Sequence, residues 1–474
     1  MKIKLGLGKI KMEDVARYCS GELYDYTNGG DASAEFVCTD SREADADTIF
    51  VATRGERVDG HDYILGALDR GCKCVLCEYV PINIVGREAA FVVVENSFDA
   101  FALTAKGYRE NKPLRTVALT GSVGKTTTKE LIASVLRRKT RLYATEGNFN
   151  SVIGMPMSLM EVPDECDMAV FEMGMSMPGE IRSMTRAATP DIAMVVNVGS
   201  SHLEFLKTRD NIALAKLEIA EGIRDGGHLI LNGDEPLLRK YVKEGKYTVH
   251  YIGIDDKRNC NFYAENIRVS DKGTEFDLIF KDGAYRALKI NLIGRQFVYN
   301  AAFAAVTAIL TGLSESDIRA GLEAYIPSGM RQNISEKNGI IVISDCYNAA
   351  PESMSAAIDT LCAISCKGKR IAVLGDMREL GSDSDKMHRD IGSYAAKQGI
   401  DILLTLGESG NLIAEGAICA GMSAHNVFAE RNTDNIESLC KEIECRIEAE
   451  DAVLFKASRG VKLERAIEQL FTET

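Results

Sequence analysis

Lys125 follows Gly121-Ser122-Val123-Gly124 and precedes Thr126-Thr127. It stands between a short β-branched and apolar run at 116–119 and a helix-forming stretch at 127–138. Strand, glycine turn, Lys-Thr and helix together cradle nucleotide phosphates, because backbone N–H groups of the turn and of the helix N-terminus face the anion. In Thr120-Gly121-Ser122-Val123-Gly124-Lys125-Thr126-Thr127 the lysine supplies a point charge for the outer phosphates and the Thr126 hydroxyl a ligand for Mg²⁺. The usual first glycine of the pattern would fall at 119, which is Leu, so the loop is a tighter Thr-Gly-x-x-Gly-Lys-Thr.

Two more groups fit the same chemistry. Glu172 ends the apolar run 168–172, and His202 closes Gly199-Ser200-Ser201-His202 just after the run 192–198. Ligands of an open parallel sheet sit at the carboxyl ends of its strands. If these strands are neighbours, Lys125, Thr126, Glu172 and His202 share one rim, and carboxylate, imidazole and hydroxyl beside a triphosphate make a Mg²⁺ site. Lys216, in a helical stretch at 213–218, reads by itself as a surface lysine.

The elements that must position these groups fall into three blocks. The first, 1–111, ends at the polar joint Asn111-Lys112-Pro113 and holds strand-like runs at 48–52, 72–77 and 91–94 with a helical stretch at 63–70. The second, 112–327, alternates strands and helices. The third, 328–474, opens at Ser328-Gly329 and has strand runs at 340–344, 370–374, 402–406 and 452–455. This alternation predicts an α/β protein whose parallel sheets are covered on both faces. The stretch 247–293 differs: its alternating residues and its turns Asp271-Lys272-Gly273 and Lys281-Asp282-Gly283 predict antiparallel hairpins at the side of the central sheet.

Composition narrows the classes. A chain of 474 residues with 46% hydrophobic content predicts several folded domains. A net charge of −13 argues against general binding to nucleic acid or anionic membrane. No apolar run approaches the ~20 residues that cross a bilayer, and Met1-Lys2-Ile3-Lys4-Leu5 is interrupted too soon to be a signal peptide. The thirteen cysteines are then expected as reduced thiols in a cytoplasm. Cys72, Cys74 and Cys77 lie in a strand-like alternation with no fourth ligand nearby, so they read as buried thiols rather than a zinc site.

The order of motifs along the whole chain resembles the Mur ligase family, which builds the peptide stem of bacterial cell-wall precursors. The resemblance runs through the phosphate loop, Asn148-Phe149-Asn150 with Gly154-Met155-Pro156, Glu172-Met173-Gly174, Ser201-His202-Leu203-Glu204, and Ala215-Lys216-x-Glu218. It continues with Gly294-Arg295 and Asn300, Arg331, and Asp345-x-Tyr347-Asn348-Ala349. Gln296-Phe297 stand where relatives show His-Asn. The resemblance implies a three-domain architecture: a UDP-sugar module at 1–111, a central ATP-binding P-loop sheet at 112–327, and a Rossmann-like C-terminal ligase domain at 328–474. Thr39-Asp40-Ser41-Arg42 and Asp59-Gly60-His61-Asp62 look like the family's uridine-diphosphate-sugar module, so Ser41 and Arg42 are expected at that substrate.

The same resemblance implies site roles. ATP meets residues 120–127 together with Asn300, Arg331 and Asp345. Thr126 and Glu172 hold one Mg²⁺, His202 and a carbamylated Lys216 the second, and Asn150 faces the substrate. An ammonium about 4 Å from a dication would be repelled by roughly 8 kcal/mol at an effective dielectric of ~20. Carbamylation turns that +1 into −1 and offers the oxygen ligands Mg²⁺ prefers. In the third block, the run from Asp345 to Met354, Gly375-Asp376-Met377-Arg378-Glu379-Leu380-Gly381, and Lys456-Ala457-Ser458-Arg459 resemble the branch that joins D-alanyl-D-alanine to a UDP-N-acetylmuramoyl-tripeptide. Tyr347, Asn348, Lys456 and Arg459 are expected on the dipeptide side. The implied enzyme is an ATP-dependent, ADP-forming carboxylate–amine ligase acting as a monomer, with domain closure before chemistry. The diaminopimelate- or lysine-adding branch and a P-loop hydrolase that ligates nothing stay open as alternatives.

Overall fold

The computed structural model describes residues 1–27, 32–55, 58–84, 86–110, 112–327, 329 and 331–471. Asn111 and Ser328, the expected block borders, lie outside the described residues. Three large sheets follow one another along the chain.

The central sheet positions the phosphate loop. Its strands run Leu142–Ala144, Met168–Glu172, Arg115–Thr120, Ile192–Val195, His228–Asn232, Thr248–Gly253, Phe262–Ser270, Gly273–Phe280 and Gly283–Ile290 in spatial order. All pairings from the first strand to the seventh are parallel, and the last two are antiparallel. The hairpin expectation for 247–293 therefore needs correction at its start. Thr248–Gly253 extends the parallel sheet, and the antiparallel ribbon begins only at Phe262. Alternation on a half-exposed strand looks the same whichever way its neighbour runs, so the pattern carried no direction.

The buried strands divide their side chains between two cores, as a period of two requires. Ala118, Ala169, Phe171, Ala193 and Val195 face one core, and Val117, Leu119, Val170, Ile192 and Met194 the other. The first of these cores continues into the front block, where it takes in Ile3, Val15, Val37 and Phe101. Front and middle blocks thus share one apolar interior. Helix Ser97–Arg109 forms the seam, packing on helices Gly154–Glu161 and Glu180–Ala188. Burying a Phe such as Phe101 or Phe171 contributes about 1.5–3 kcal/mol.

The front sheet contains the expected strands as Thr48–Val51, Cys74–Cys77 and Ala90–Val93, and its helix is Ile64–Asp69. Cys72, Cys74 and Cys77 are all buried, and the Cys72 thiol donates to the Thr48 and Cys74 carbonyls. The third sheet orders Asn333–Lys337, Ile340–Ser344, Ala452–Lys456, Arg370–Gly375, Ile402–Leu406 and Val427–Glu430 and is parallel except at its first strand. Its core takes only Ile293 from the described part of the middle block. Among the described residues no helix is long and apolar enough to cross a membrane.

Candidate active site

Strand Arg115–Thr120 delivers the chain into the phosphate loop, and helix Lys125–Leu136 carries it away. Gly124 caps that helix at φ +76°, a conformation that disfavours a side chain. A Cβ there would also stand 2.8 Å from the Asn300 amide nitrogen. The loop is pinned by a residue that motif reasoning missed. Asn197 accepts from the Ser122 and Val123 N–H groups at 2.9 and 3.0 Å and donates to the Val123 carbonyl at 2.8 Å. Its only sequence signal is a polar residue directly after a buried strand beside the loop.

A cavity of about 680 Å³ opens between the loop and the third block, a size that suits a nucleotide. Ser122, Val123, Gly124, Lys125, Thr126 and Thr127 form one side of it. Thr120 and Gly121 stop short of it, at the strand end. The Lys125 ammonium folds back onto the Gly121 carbonyl at 2.8 Å. Glu172 is 2% exposed, and its two carboxylate oxygens are taken by the Thr126 hydroxyl and the Asn150 amide, each at 2.8 Å. Strand Met168–Glu172 pairs directly with Arg115–Thr120, which brings these three residues together.

The third block closes the other side. Arg331 lies over the Tyr347 ring, 4.0 Å from its centre. The buried Lys456 ammonium donates to Asp345 at 2.6 Å and to the Asn348 carbonyl at 3.1 Å. All five border the cavity. So does Asn300, although its amide is spent on Gly124 and Thr128 and so holds the loop. Gln296 reaches Thr360 of the third block at 3.2 Å. Arg459 pairs with Glu464 and stays outside the cavity, as do Ser41 and Arg42 of the front block. Arg42 is exposed and grips Asp40, whose carboxyl it holds well below the usual range.

His202 and Lys216 do not border the cavity either. His202 caps helix Leu203–Leu206 at φ +64° and lies 2.6 Å from the Glu379 carboxylate of the third block. Lys216 is 1% exposed, and among the described residues its ammonium has no hydrogen-bond or ion-pair partner. Burial pushes its pKa well down, and the positive charge of Lys125 pushes it further. The reading of Lys216 as a surface lysine, made without the family comparison, is thereby corrected: its helix turns this residue inward. Burial also lowers the Lys125 pKa, Glu172 opposes that, and Arg331 reinforces it. Lys125 and Arg331 thus share the cavity with one carboxylate, an arrangement suited to a further anion such as a polyphosphate.

Among the described residues no group of three His, Cys, Asp or Glu side chains could hold a metal alone. One carboxylate beside a hydroxyl at a phosphate loop instead fits Mg²⁺, which keeps waters and takes its remaining ligands from substrate phosphates.

Residues 33–108 match the Mur ligase family, catalytic domain, residues 119–308 the Mur ligase middle domain, and residues 330–459 the Mur ligase, glutamate ligase domain. The UDP-N-acetylmuramoyl-tripeptide–D-alanyl-D-alanine ligase of Bacillus subtilis is 35% identical over 437 residues, which cover 92% of each chain. The crystal structure of MurF from Acinetobacter baumannii superposes with a TM-score of 0.88 at 29% identity, over 99% of this chain and 100% of that one. MurF ligase from Thermotoga maritima, solved in complex with ADP, gives 0.79 at 29% identity over 92% and 97%. Loop, cavity and full-length likeness agree, and the chain belongs to the Mur ligase family.

Proposed function

We propose that this chain joins D-alanyl-D-alanine to UDP-N-acetylmuramoyl-tripeptide at the expense of ATP, in peptidoglycan precursor synthesis. The observation that carries this reading is the pairing of Thr126 and Asn150 on Glu172 at the phosphate loop, which shares a nucleotide-sized cavity with Arg331, Asp345 and Lys456. The full-length relatives bear that activity in their names.

A carboxylate is a poor acceptor for an amine because its leaving group is oxide. Two easier steps replace the hard one. A tripeptide carboxylate oxygen attacks the γ-phosphorus and ADP leaves. The dipeptide amine then attacks the acyl carbon, inorganic phosphate departs, and the amine gives up a proton. The protein's work is positioning and charge neutralisation. Loop N–H groups and Lys125 take the phosphates. Arg331 and Asp345 approach the nucleotide from the third block, and Asn150 lies toward the acceptor. Tyr347, Asn348 and Lys456 frame the dipeptide side. Thr126 and Glu172 would hold one Mg²⁺ and His202 with carbamylated Lys216 a second; these ions neutralise phosphate and carboxylate charge when bound. Burial and the nearby Lys125 charge lower the Lys216 pKa, which favours the free-amine form that carbamylation by CO₂ requires. Residues 1–111 take the UDP-sugar, with Ser41 and Arg42 at its diphosphate, 112–327 take ATP, and 328–474 take the dipeptide. The enzyme works as a monomer in the cytoplasm, where its nucleotide substrates are.

Phosphate release with UDP-N-acetylmuramoyl-tripeptide, measured with and without D-alanyl-D-alanine and followed by product mass, tests the reading. Release that needs the dipeptide, with a product heavier by its residue mass, is expected. Release indifferent to the dipeptide would leave a simple hydrolase, and release driven by diaminopimelate or lysine on the dipeptide precursor would move the chain to the neighbouring branch.

A further inference from the structure

The run Gly375 to Gly381 has no part in the chemistry above, yet it is built as a rigid arm. The Asp376 carboxylate accepts from the Gly410 N–H at 2.6 Å, at the start of helix Gly410–Cys419, and its carbonyl accepts from Ser458 at 3.0 Å. The Met377 N–H donates to the buried His388 ring at 3.0 Å, and the Arg378 N–H to the Ser458 hydroxyl at 3.1 Å. Three successive residues are thus fixed to the body of the third block. The next residue, Glu379, leaves that block. It adopts φ +64°, uncommon for a residue with a side chain. Its carbonyl accepts from the Glu204 N–H at 3.1 Å, and its carboxylate stands 2.6 Å from His202 Nδ1. Gly381, at φ +66°, comes so close that a Cβ would lie 3.1 Å from the Glu204 Cα.

From this geometry we propose that Glu379 is a positioning residue: delivered by the third block, its carboxylate stands against the buried His202 Nδ1, which has no aligned hydrogen bond among the described residues, and accepts from it when Nε2 turns to a divalent cation bound beside the nucleotide. Metal-ligating imidazoles commonly give their other ring nitrogen to a carboxylate, which fixes tautomer and ring angle. The carboxylate here comes from a different block than the ring it orients. Docking of the third block and readiness of the metal ligand are therefore one event, and an undocked third block leaves His202 unaimed. The inference rests on the reading of His202 as a ligand.

Mn²⁺ in place of Mg²⁺ makes the role measurable without turnover. Wild type, Glu379→Ala, His202→Ala and the double variant are loaded with Mn²⁺ and a non-hydrolysable ATP analogue. Mn²⁺ affinity and the ¹⁴N coupling of a ligating imidazole are then read by electron paramagnetic resonance. Glu379→Ala is expected to weaken the second Mn²⁺ by 10–100-fold and to diminish the ¹⁴N coupling. The double variant is expected to bind no more weakly than His202→Ala alone, because Glu379 acts through the ring. Glu379→Gln, which keeps an oxygen acceptor, should recover part of the affinity. Losses that add in the double variant, or a Glu379→Ala enzyme with unchanged Mn²⁺ affinity and coupling, overturn the inference. If His202→Ala itself keeps both ions, the metal assignment of His202 fails instead.

Discussion

Replacing Lys216 by Met should make the ligand-free protein more stable while abolishing ligation. Lys216 is 1% exposed, and among the described residues nothing pairs with its ammonium. The charge is opposed by burial and by Lys125. Replacing buried ions by well-packed apolar groups is commonly neutral or stabilising by about 1–4 kcal/mol, and an ammonium without a partner belongs at the stabilising end. Met keeps an unbranched stem of similar length, so it leaves little cavity. At about 2–4 °C per kcal/mol for a unit of 150–250 residues, the melting temperature should rise by roughly 2 °C or more at neutral pH. The unfolded chain keeps Lys216 protonated up to its ordinary value of 10.5, whereas the folded chain releases that proton at lower pH. Between these two points the unfolded state binds more protons, so wild-type stability rises with pH through that window. The gap between variant and wild type should therefore narrow as pH climbs toward 10. Scanning calorimetry of both proteins in CO₂-free buffer from pH 7 to 10 reads the effect. A variant less stable than wild type at pH 7, or a gap that widens with pH, would refute the reasoning that this lysine is a frustrated cation.

Other substitutions probe the rest of the site. Asn197→Ala frees two loop N–H groups and one carbonyl; it should cost about 1–3 kcal/mol in denaturant melts and raise KM for ATP more than it lowers kcat. Glu172→Gln keeps an oxygen to accept from the Asn150 amide, turns its NH₂ to a Thr126 hydroxyl that can accept instead, and removes the negative charge; unfolding should shift little, while the Mg²⁺ concentration needed for half-maximal rate rises by at least tenfold in a steady-state assay. Lys125→Met removes the charge nearest the outer phosphates and should lower kcat by about 10²–10³-fold, read by coupled ADP release. Lys456→Met strands the Asp345 carboxylate it now holds at 2.6 Å; because that carboxylate is partly open to the cavity, the cost should be about 1–3 kcal/mol, a loss that Asp345→Asn on the same chain partly repairs in thermal melts.

What the sequence made legible divides by physics. Strands Met168–Glu172 and Ile192–Val195, buried throughout and flanking Arg115–Thr120 on either side, are almost wholly apolar, and Arg115–Thr120 is apolar and β-branched after its first residue, so all three were readable as interior strands, and with them the rim that carries Lys125, Thr126 and Glu172. The grip of Asn150 on Glu172 was not readable, because residues 22 apart met only through the fold. Asn197 was missed for the same reason: its partners lie 75 and 74 positions away and are backbone atoms, which leave no mark on side-chain pattern. The inward turn of Lys216 was hidden because a lysine on a helix carries no sign of which face is covered. Glu379 was visible inside a motif, but its partner His202 belongs to another block, and pairing across blocks is set by how whole domains dock.

The way the blocks are joined fits an enzyme that must open and close. Front and middle share a continuous apolar core, so separating them would expose residues such as Phe101 to water. Middle and third are joined mainly by polar contacts. Ser200 donates to Glu352 at 2.8 Å, Gln332 to the Ile293 carbonyl at 2.7 Å, Gln296 to Thr360 at 3.2 Å, and Glu204 to Glu379 at 3.1 Å. Each such bond contributes a net of about 0.5–1.5 kcal/mol, because water replaces it when it breaks. A handful of them holds the third block within a few kcal/mol of the open form, an equilibrium that the binding energy of a nucleotide can tip in either direction. Opening costs little apolar exposure, since Ile293 is the described middle-block side chain that enters the third core. Closure also brings Arg331 of the third block toward Lys125, which is electrostatically unfavourable until phosphate oxygens arrive. The same charges that weaken the empty closed form strengthen it when ATP is bound, so the nucleotide stabilises the closed form in which Glu379 faces His202.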